Sequence, residues 1–155
     1  MYKNRSRGLV LSLSKGFTLI ELLVVIAIIG ILSAVVLASL NTARSRGNDA
    51  AIQSDLSAVR AQAEIFYGTG NTYGTAGASC TTAGSLFADA TIARAITGAE
   101  SANGSASVVC NNSTTAYAIS SPLASDVSKF WCIDSTGFAG QRATALGTAT
   151  VCPAS

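Results

Sequence analysis

Apolar and polar positions divide the chain into four stretches with different patterns. Residues 1–16 are polar and basic, residues 17–40 are almost continuously apolar, residues 41–67 are amphipathic, and residues 68–155 are rich in Gly, Ser, Thr and Ala. Leu22 to Leu40 contains no charged residue, and a helix of about 20 apolar residues spans the hydrocarbon of a bilayer. Basic residues before such a span keep the N-terminus in the cytoplasm. The pattern therefore predicts one membrane segment followed by an exported domain.

The amphipathic stretch continues the same helix. Its apolar side chains recur every three or four residues, which places them on one helical face; they are Ile52, Leu56, Val59, Ala63 and Phe66. Gly68 and Gly70 follow this stretch. We predict a single helix from Phe17 to about Tyr67, whose second half packs against a sheet.

The remaining residues predict a loop, a short helix and several strands. Residues 68–84 read as an ordered loop, and a helix is expected at 85–97 with Ser85 as its N-cap. Strands are expected at 105–110, 115–121 and 129–134, with a turn at 111–114 and a weaker fourth strand within 141–150. The predicted fold class is α+β, with a long N-terminal helix on a small antiparallel sheet.

Four cysteines predict a disulfide-stabilised head; they are Cys80, Cys110, Cys132 and Cys152. Their even number and their position after a membrane segment fit an oxidising compartment. A metal site is the weaker interpretation because the chain has no CxxC pair and no histidine. Three connectivities remain open. We favour Cys132–Cys152, which closes the C-terminal segment, together with Cys80–Cys110, which ties the loop after the helix to the first strand.

Composition argues against an enzyme or a nucleic-acid-binding protein. Without histidine, Ser–His and Cys–His nucleophilic catalysis is excluded. The first 16 residues hold four of the ten basic residues and no acid, which leaves six basic against eight acidic residues, a net charge of −2. We therefore expect no cofactor and no nucleic acid. Minor alternatives are a cation at Asp126 and Asp134, base stacking on Phe130 and Trp131, and glycosylation at three Asn-x-Ser/Thr matches.

The junction between the leader and the apolar run is the most specific part of the sequence. It reads Lys15-Gly16-Phe17-Thr18-Leu19-Ile20-Glu21. The apolar run is too long for an ordinary secretory signal, and an acid within a membrane segment is expensive enough to suggest a function. The stretch from Gly16 to Leu23 resembles the prepilin signal of the type IV pilin superfamily. A plain signal anchor, the simpler alternative, explains neither the leader that stops at Gly16 nor the acid at Glu21.

The resemblance implies how the chain is processed and assembled. A prepilin peptidase/methyltransferase would cut between Gly16 and Phe17 and methylate the new amine of Phe17. Glu21 would meet the amine of a neighbouring subunit, since two charges that are costly alone become tolerable as a pair. Other implied partners are identical pilin subunits, minor pilins, an inner-membrane assembly platform and its ATPase motor. Many filament-forming pilins carry a proline within the span, whereas here only Gly30 interrupts it.

Three functions remain open from the sequence. The first is a type IV pilus subunit that sits in the inner membrane before assembly and in an extracellular filament afterwards. The second is a pseudopilin of a type II secretion system, and the third is a membrane-anchored surface protein that never polymerises. The predicted segments are a leader at 1–16, an apolar helical half at 17–40, an amphipathic half at 41–67 and a head at 68–155.

Overall fold

The computed structural model describes residues 16–154; all but the last residue of the predicted leader lie outside this range. Helix α1 covers Leu19–Gly70 and α2 covers Ala90–Ala102, with a short 3₁₀ helix at Leu86–Ala88 between them. The strands are β1 Val109–Asn112, β2 Tyr117–Pro122, β3 Phe130–Asp134 and β4 Ala139–Arg142. They form one antiparallel sheet in the order β1-β2-β3-β4. The α+β prediction is confirmed.

The described chain forms two compact units that meet between Ser39 and Leu40. In the first unit the apolar side chains of α1 are exposed to solvent. In the second unit α1 buries one face, formed by Ile52, Leu56, Val59 and Ala63. These are four of the five residues of the predicted stripe, and Phe66 packs against them while partly buried.

The sheet of the second unit is covered on both faces. Side chains alternate between the faces along a strand, so Tyr117, Ile119 and Ile133 join the core of α1 while Ala118 and Cys132 join a second cluster. Leu146 and Cys152, from the segment after β4, complete that second cluster. This is why every residue of the central strand β2 is buried.

Several predicted boundaries were wrong for identifiable reasons. Helix α1 begins at Leu19 rather than Phe17, and it ends at Gly70, three residues beyond the predicted end at about Tyr67. The helix predicted at 85–97 is two elements: Ser85 caps the 3₁₀ helix, while Asp89 caps α2 by accepting from the Thr91 and Ile92 amides. These caps satisfy amides that a helix start leaves without partners.

The predicted bounds of the first and fourth strands were wrong. β1 begins at Val109 rather than 105, because Asn103 binds the Ala106 amide in a cap after α2. Asn111 and Asn112 belong to β1, and the turn lies at 113–116 instead. The fourth strand is Ala139–Arg142, earlier than expected. The residues after it form the irregular segment that covers the second face of the sheet.

Candidate functional site

The residues around the predicted cleavage position are exposed. Gly16, Phe17 and Thr18 precede the first residue of α1, and the Phe17 side chain is 81% exposed. Among residues 18–154, no heavy atom lies within 4 Å of the position that a Cβ on Gly16 would occupy. The segment is therefore sterically open to an enzyme that must approach its backbone.

Thr18 and Glu21 form a capping box at the start of α1. The Glu21 carboxylate accepts hydrogen bonds from the Thr18 amide at 2.9 Å and the Thr18 hydroxyl at 2.7 Å. The Thr18 hydroxyl in turn accepts from the Glu21 amide at 3.2 Å. Such a box satisfies helix-terminal amides reciprocally. Both bonds to the carboxylate end on Oε2, and Oε1 accepts none from residues 16–154.

An apolar surface follows the capping box on α1. From Leu19 to Leu40 its large apolar side chains are between 46% and 77% exposed. Among the described residues, α1 is the one helix long and apolar enough to cross a membrane. Exposed apolar surface of this extent requires a covering, either lipid or other protein.

The structure pairs Cys80 with Cys110 and Cys132 with Cys152, the connectivity that the sequence analysis favoured. The first bond ties the loop after α1 to β1. The second ties the C-terminal segment to β3. All four cysteines are therefore used in structural links.

Two comparisons find similarity to known proteins. The protein-family model described as "Prokaryotic N-terminal methylation motif" matches residues 11–37. The chain is 51% identical over 61 residues to "Type IV wide pilus major component PilA4" of Thermus thermophilus. Over the matched residues the chain is similar to type IV pilins. The alignment covers 39% of this chain and 46% of the relative, so the chain spans about half the length of that protein. No solved structure matches it.

Asp126 and Asp134, the two acids considered as cation ligands, each bind neighbouring groups of the chain itself. Asp126 accepts from the amide and hydroxyl of Ser128 and pairs with Lys129, N–O 3.6 Å. Asp134 is buried and accepts four hydrogen bonds, from both donors of Thr136 and from the amides of Phe138 and Cys152. Within residues 16–154 no cluster of three or more His, Cys, Asp or Glu residues converges on a metal position. The arrangement suits structural anchoring.

Hydrogen bonds lower the pKa of both carboxyls. Burial alone would raise the pKa of Asp134, but the bonds from Thr136, Cys152 and Phe138 bring it below its usual value. Bonds from Ser128 and the nearby Lys129 charge lower the pKa of Asp126. Asp134 therefore stays ionised inside the head, where it links β3, the following turn and the C-terminal segment.

The three asparagines of the glycosylation matches are buried. Asn103, Asn111 and Asn112 are at most 7% exposed. The Asn111 amide donates to the Gly147 and Ala149 carbonyls, and the Asn112 amide donates to those of Tyr73 and Thr75. A glycan on these nitrogens would break those bonds. The minor alternative of glycosylation at these asparagines is therefore opposed by the fold.

The aromatic pair proposed for base stacking is half-buried. Phe130 and Trp131 are adjacent in β3, and Trp131 packs against the core of the second unit. Trp131 pairs with Ser121 of β2 and Gln141 of β4 in the sheet. This placement favours a packing role for the indole over a stacking platform.

Two residues with structural roles, Thr18 and Asp49, were not predicted from the sequence. Thr18 was detectable, since Thr-x-x-Glu before an apolar run is the signature of a capping box. Asp49 was not, because its role depends on residues far away in sequence. Its carboxylate accepts from the Ala124 amide at 2.7 Å and from the amide and hydroxyl of Ser125, fixing the β2–β3 loop to α1.

Proposed function

We propose that the chain is the structural subunit of a type IV pilus, cut after Gly16, methylated on Phe17 and polymerised through α1. The observation that carries the proposal is Glu21, an acid in the first turn of an exposed apolar helix that begins two residues after Phe17. The relative over the aligned residues is a major component of a type IV wide pilus.

The capping box is compatible with processing. The cut between Gly16 and Phe17 leaves the Phe17–Thr18 peptide bond intact, so the Thr18 amide still donates to Glu21 afterwards. One carboxylate oxygen, Oε1, then remains to accept from the methylated amine of a neighbouring subunit. Both charges are costly in an apolar filament core unless they are paired. Glu21 thus selects the longitudinal register in which each amine finds a carboxylate.

The apolar half of α1 has two successive environments in this proposal. Before assembly it lies in the inner membrane, with the N-terminus inside and the head outside, and afterwards it packs against the same segment of other subunits. The heads form the outer surface of the filament. Peptidase/methyltransferase, minor pilins, platform and ATPase motor are the partners that such assembly requires. The energy comes from that motor, since the sequence contains no phosphate-binding loop.

The test is intact-mass and N-terminal analysis of protein sheared from the cell surface. We expect a chain that starts at N-methylated Phe17, lighter by the four hydrogens lost in two disulfides, and recovered in filaments. A processed chain confined to membrane and periplasm would instead favour a type II secretion pseudopilin. A chain that keeps residues 1–16 would contradict processing and leave the membrane-anchor interpretation.

A further inference from the structure

Asp55 is a half-buried carboxylate that has no partner within the described part of the chain. No hydrogen bond or ion pair to it is found among residues 16–154. It lies on α1 against the backbone of α2, where a Cβ on Gly98 would come within 2.6 Å of its Oδ2. Burial raises the pKa of the Asp55 carboxyl. A partly desolvated acid is stabilised when a cation approaches from outside.

Two arginines near the start of the second unit are also unpaired. Arg44 and Arg46 are exposed on α1 and make no hydrogen bond or ion pair with any described residue. Arg60, in contrast, donates to the Gly137 carbonyl at 2.9 Å. α1 therefore carries two cations and one anion in this region that a single chain leaves uncompensated.

Helical geometry places the two arginines on different sides of α1 relative to Asp55. At 3.6 residues per turn, the nine positions between Arg46 and Asp55 rotate the helix by about two and a half turns. These two residues therefore face opposite sides of α1. The eleven positions between Arg44 and Asp55 make about three turns, which puts both on the same side. Between the two sides lie small exposed residues, Ala50, Ser54 and Ala61.

We propose that Arg46 of one subunit pairs with Asp55 of a neighbouring subunit in the filament. This rests on the proposed function. Since the two charges lie on opposite sides of the helix, the contact joins two different surfaces, and such a contact repeats along an open assembly instead of closing a dimer. Along the axis the residues are about 13 Å apart. The pair therefore fixes an offset between parallel α1 helices at the level of the heads.

Arg46 fits this role better than Arg44 because of its position relative to Asp55. Arg44 and Asp55 lie on the same side of α1. A pair between Arg44 of one subunit and Asp55 of another would therefore not join two different surfaces. Arg46 projects from the side on which the next subunit presents its own Asp55.

Charge reversal in the full chain tests the pair. The variants are Asp55→Arg, Arg46→Asp and their combination, with Arg44→Asp as the matched control. We expect each single reversal to lower the yield of sheared filaments at least about tenfold, because juxtaposed like charges disfavour an interface. The double reversal is expected to restore the yield to within about threefold of wild type. The control is expected to assemble normally.

The readouts separate assembly from folding and from the proposed function. Processing and both disulfides, measured by intact mass, show that a variant chain is folded. If Asp55→Arg fails this check, Asp55→Asn replaces it, and adding Arg46→Gln is then expected to cause no further loss. Single reversals that assemble normally, a double reversal without recovery, or a control as defective as Arg46→Asp would overturn the pairing alone. A wild-type chain that forms no filaments would reject the proposed function as well.

Discussion

A single carboxylate, that of Glu21, has a local role and a proposed intermolecular one. Locally it completes the capping box with Thr18 through Oε2. Between subunits, its negative charge would compensate the amine of a neighbour. The two roles require different properties: capping needs a hydrogen-bond acceptor, whereas pairing needs a charge. Substitutions that remove one property at a time therefore separate them.

We expect Glu21→Gln to be cleaved and to cap α1 but to assemble poorly. Glutamine is accepted in a capping box, whereas it carries no charge to pair with an amine. Thr18→Ala is the matched change, since it removes the cap at a cost of about 1 kcal/mol and keeps the carboxylate. The measurement is the ratio of precursor to mature chain together with the yield of sheared filaments. Normal filaments from Glu21→Gln, or equal defects in both variants, would contradict the charge-pair role.

The second residue-scale prediction concerns Asp134. Replacing it by Ala leaves the amides of Thr136, Phe138 and Cys152 without their acceptor, and we expect a loss of about 3 kcal/mol in the free energy of unfolding. Denaturant unfolding of the full chain in detergent measures it. Asp126→Asn is the control, because that carboxylate is exposed and its interactions are screened by water. An equal effect of both changes would contradict a special role for Asp134.

The pKa of Asp134 also gives the direction of the pH dependence. Its pKa in the folded chain lies below that of an unfolded aspartate, about 3.9. The stabilisation is therefore complete above pH 4 or so and is lost as the pH falls through the lower folded value. We expect acid unfolding to shift to higher pH in Asp134→Ala relative to Asp126→Asn. Identical acid transitions in the two variants would contradict stabilisation of the fold by the ionised Asp134 carboxylate.

At the scale of elements, the sequence predicted what depends on periodicity and missed what depends on distant partners. The stripe on α1 predicted its buried face because Ile52, Leu56 and Val59 repeat at helical spacing. The sheet followed from apolar runs between turn residues. Asn111 and Asn112 were misread because local turn preference was overridden by carbonyls more than 30 residues away in sequence. Likewise, nothing local distinguishes Asp134, which is buried by a segment that follows it.

The buried face of α1 makes an element-scale prediction. Leu56→Ala is expected to destabilise the second unit by about 2–5 kcal/mol, because Leu56 is fully buried in the core. Ile65→Ala is the matched control on the same helix, since Ile65 is 61% exposed. The midpoint of thermal unfolding measures both. Similar shifts would mean that the face assigned to the core is wrong.

The disulfides make the other prediction at this scale. Cys132→Ser with Cys152→Ser removes a disulfide between residues 20 positions apart. The chain-entropy relation predicts that this lowers the free energy of unfolding by about 3 kcal/mol. The C-terminal segment then depends on bonds from Asn111 and Asp134, so limited proteolysis is expected to cut first within residues 143–152. Opening the Cys80–Cys110 link instead is the comparison, and cutting is expected within residues 71–84. The same first cut in both variants would contradict this assignment.

At the scale of the whole molecule, the buried core and the large exposed apolar surface lie in different units. The buried core contains no residue before Ile52 among those described, whereas the large apolar side chains from Leu19 to Leu40 are exposed. We therefore expect a fragment starting at Leu40 to fold, to form both disulfides and to be a monomer without detergent. The full chain is expected to require detergent or lipid, since its exposed apolar surface demands a covering. Size-exclusion chromatography measures the oligomeric state of the fragment and of the full chain, and intact mass measures their disulfides.

Because the fragment lacks Glu21, it is also expected to stay out of filaments when it is produced beside the wild-type chain. Aggregation of the fragment would mean that its core is incomplete, and its incorporation into filaments would mean that the heads alone direct assembly.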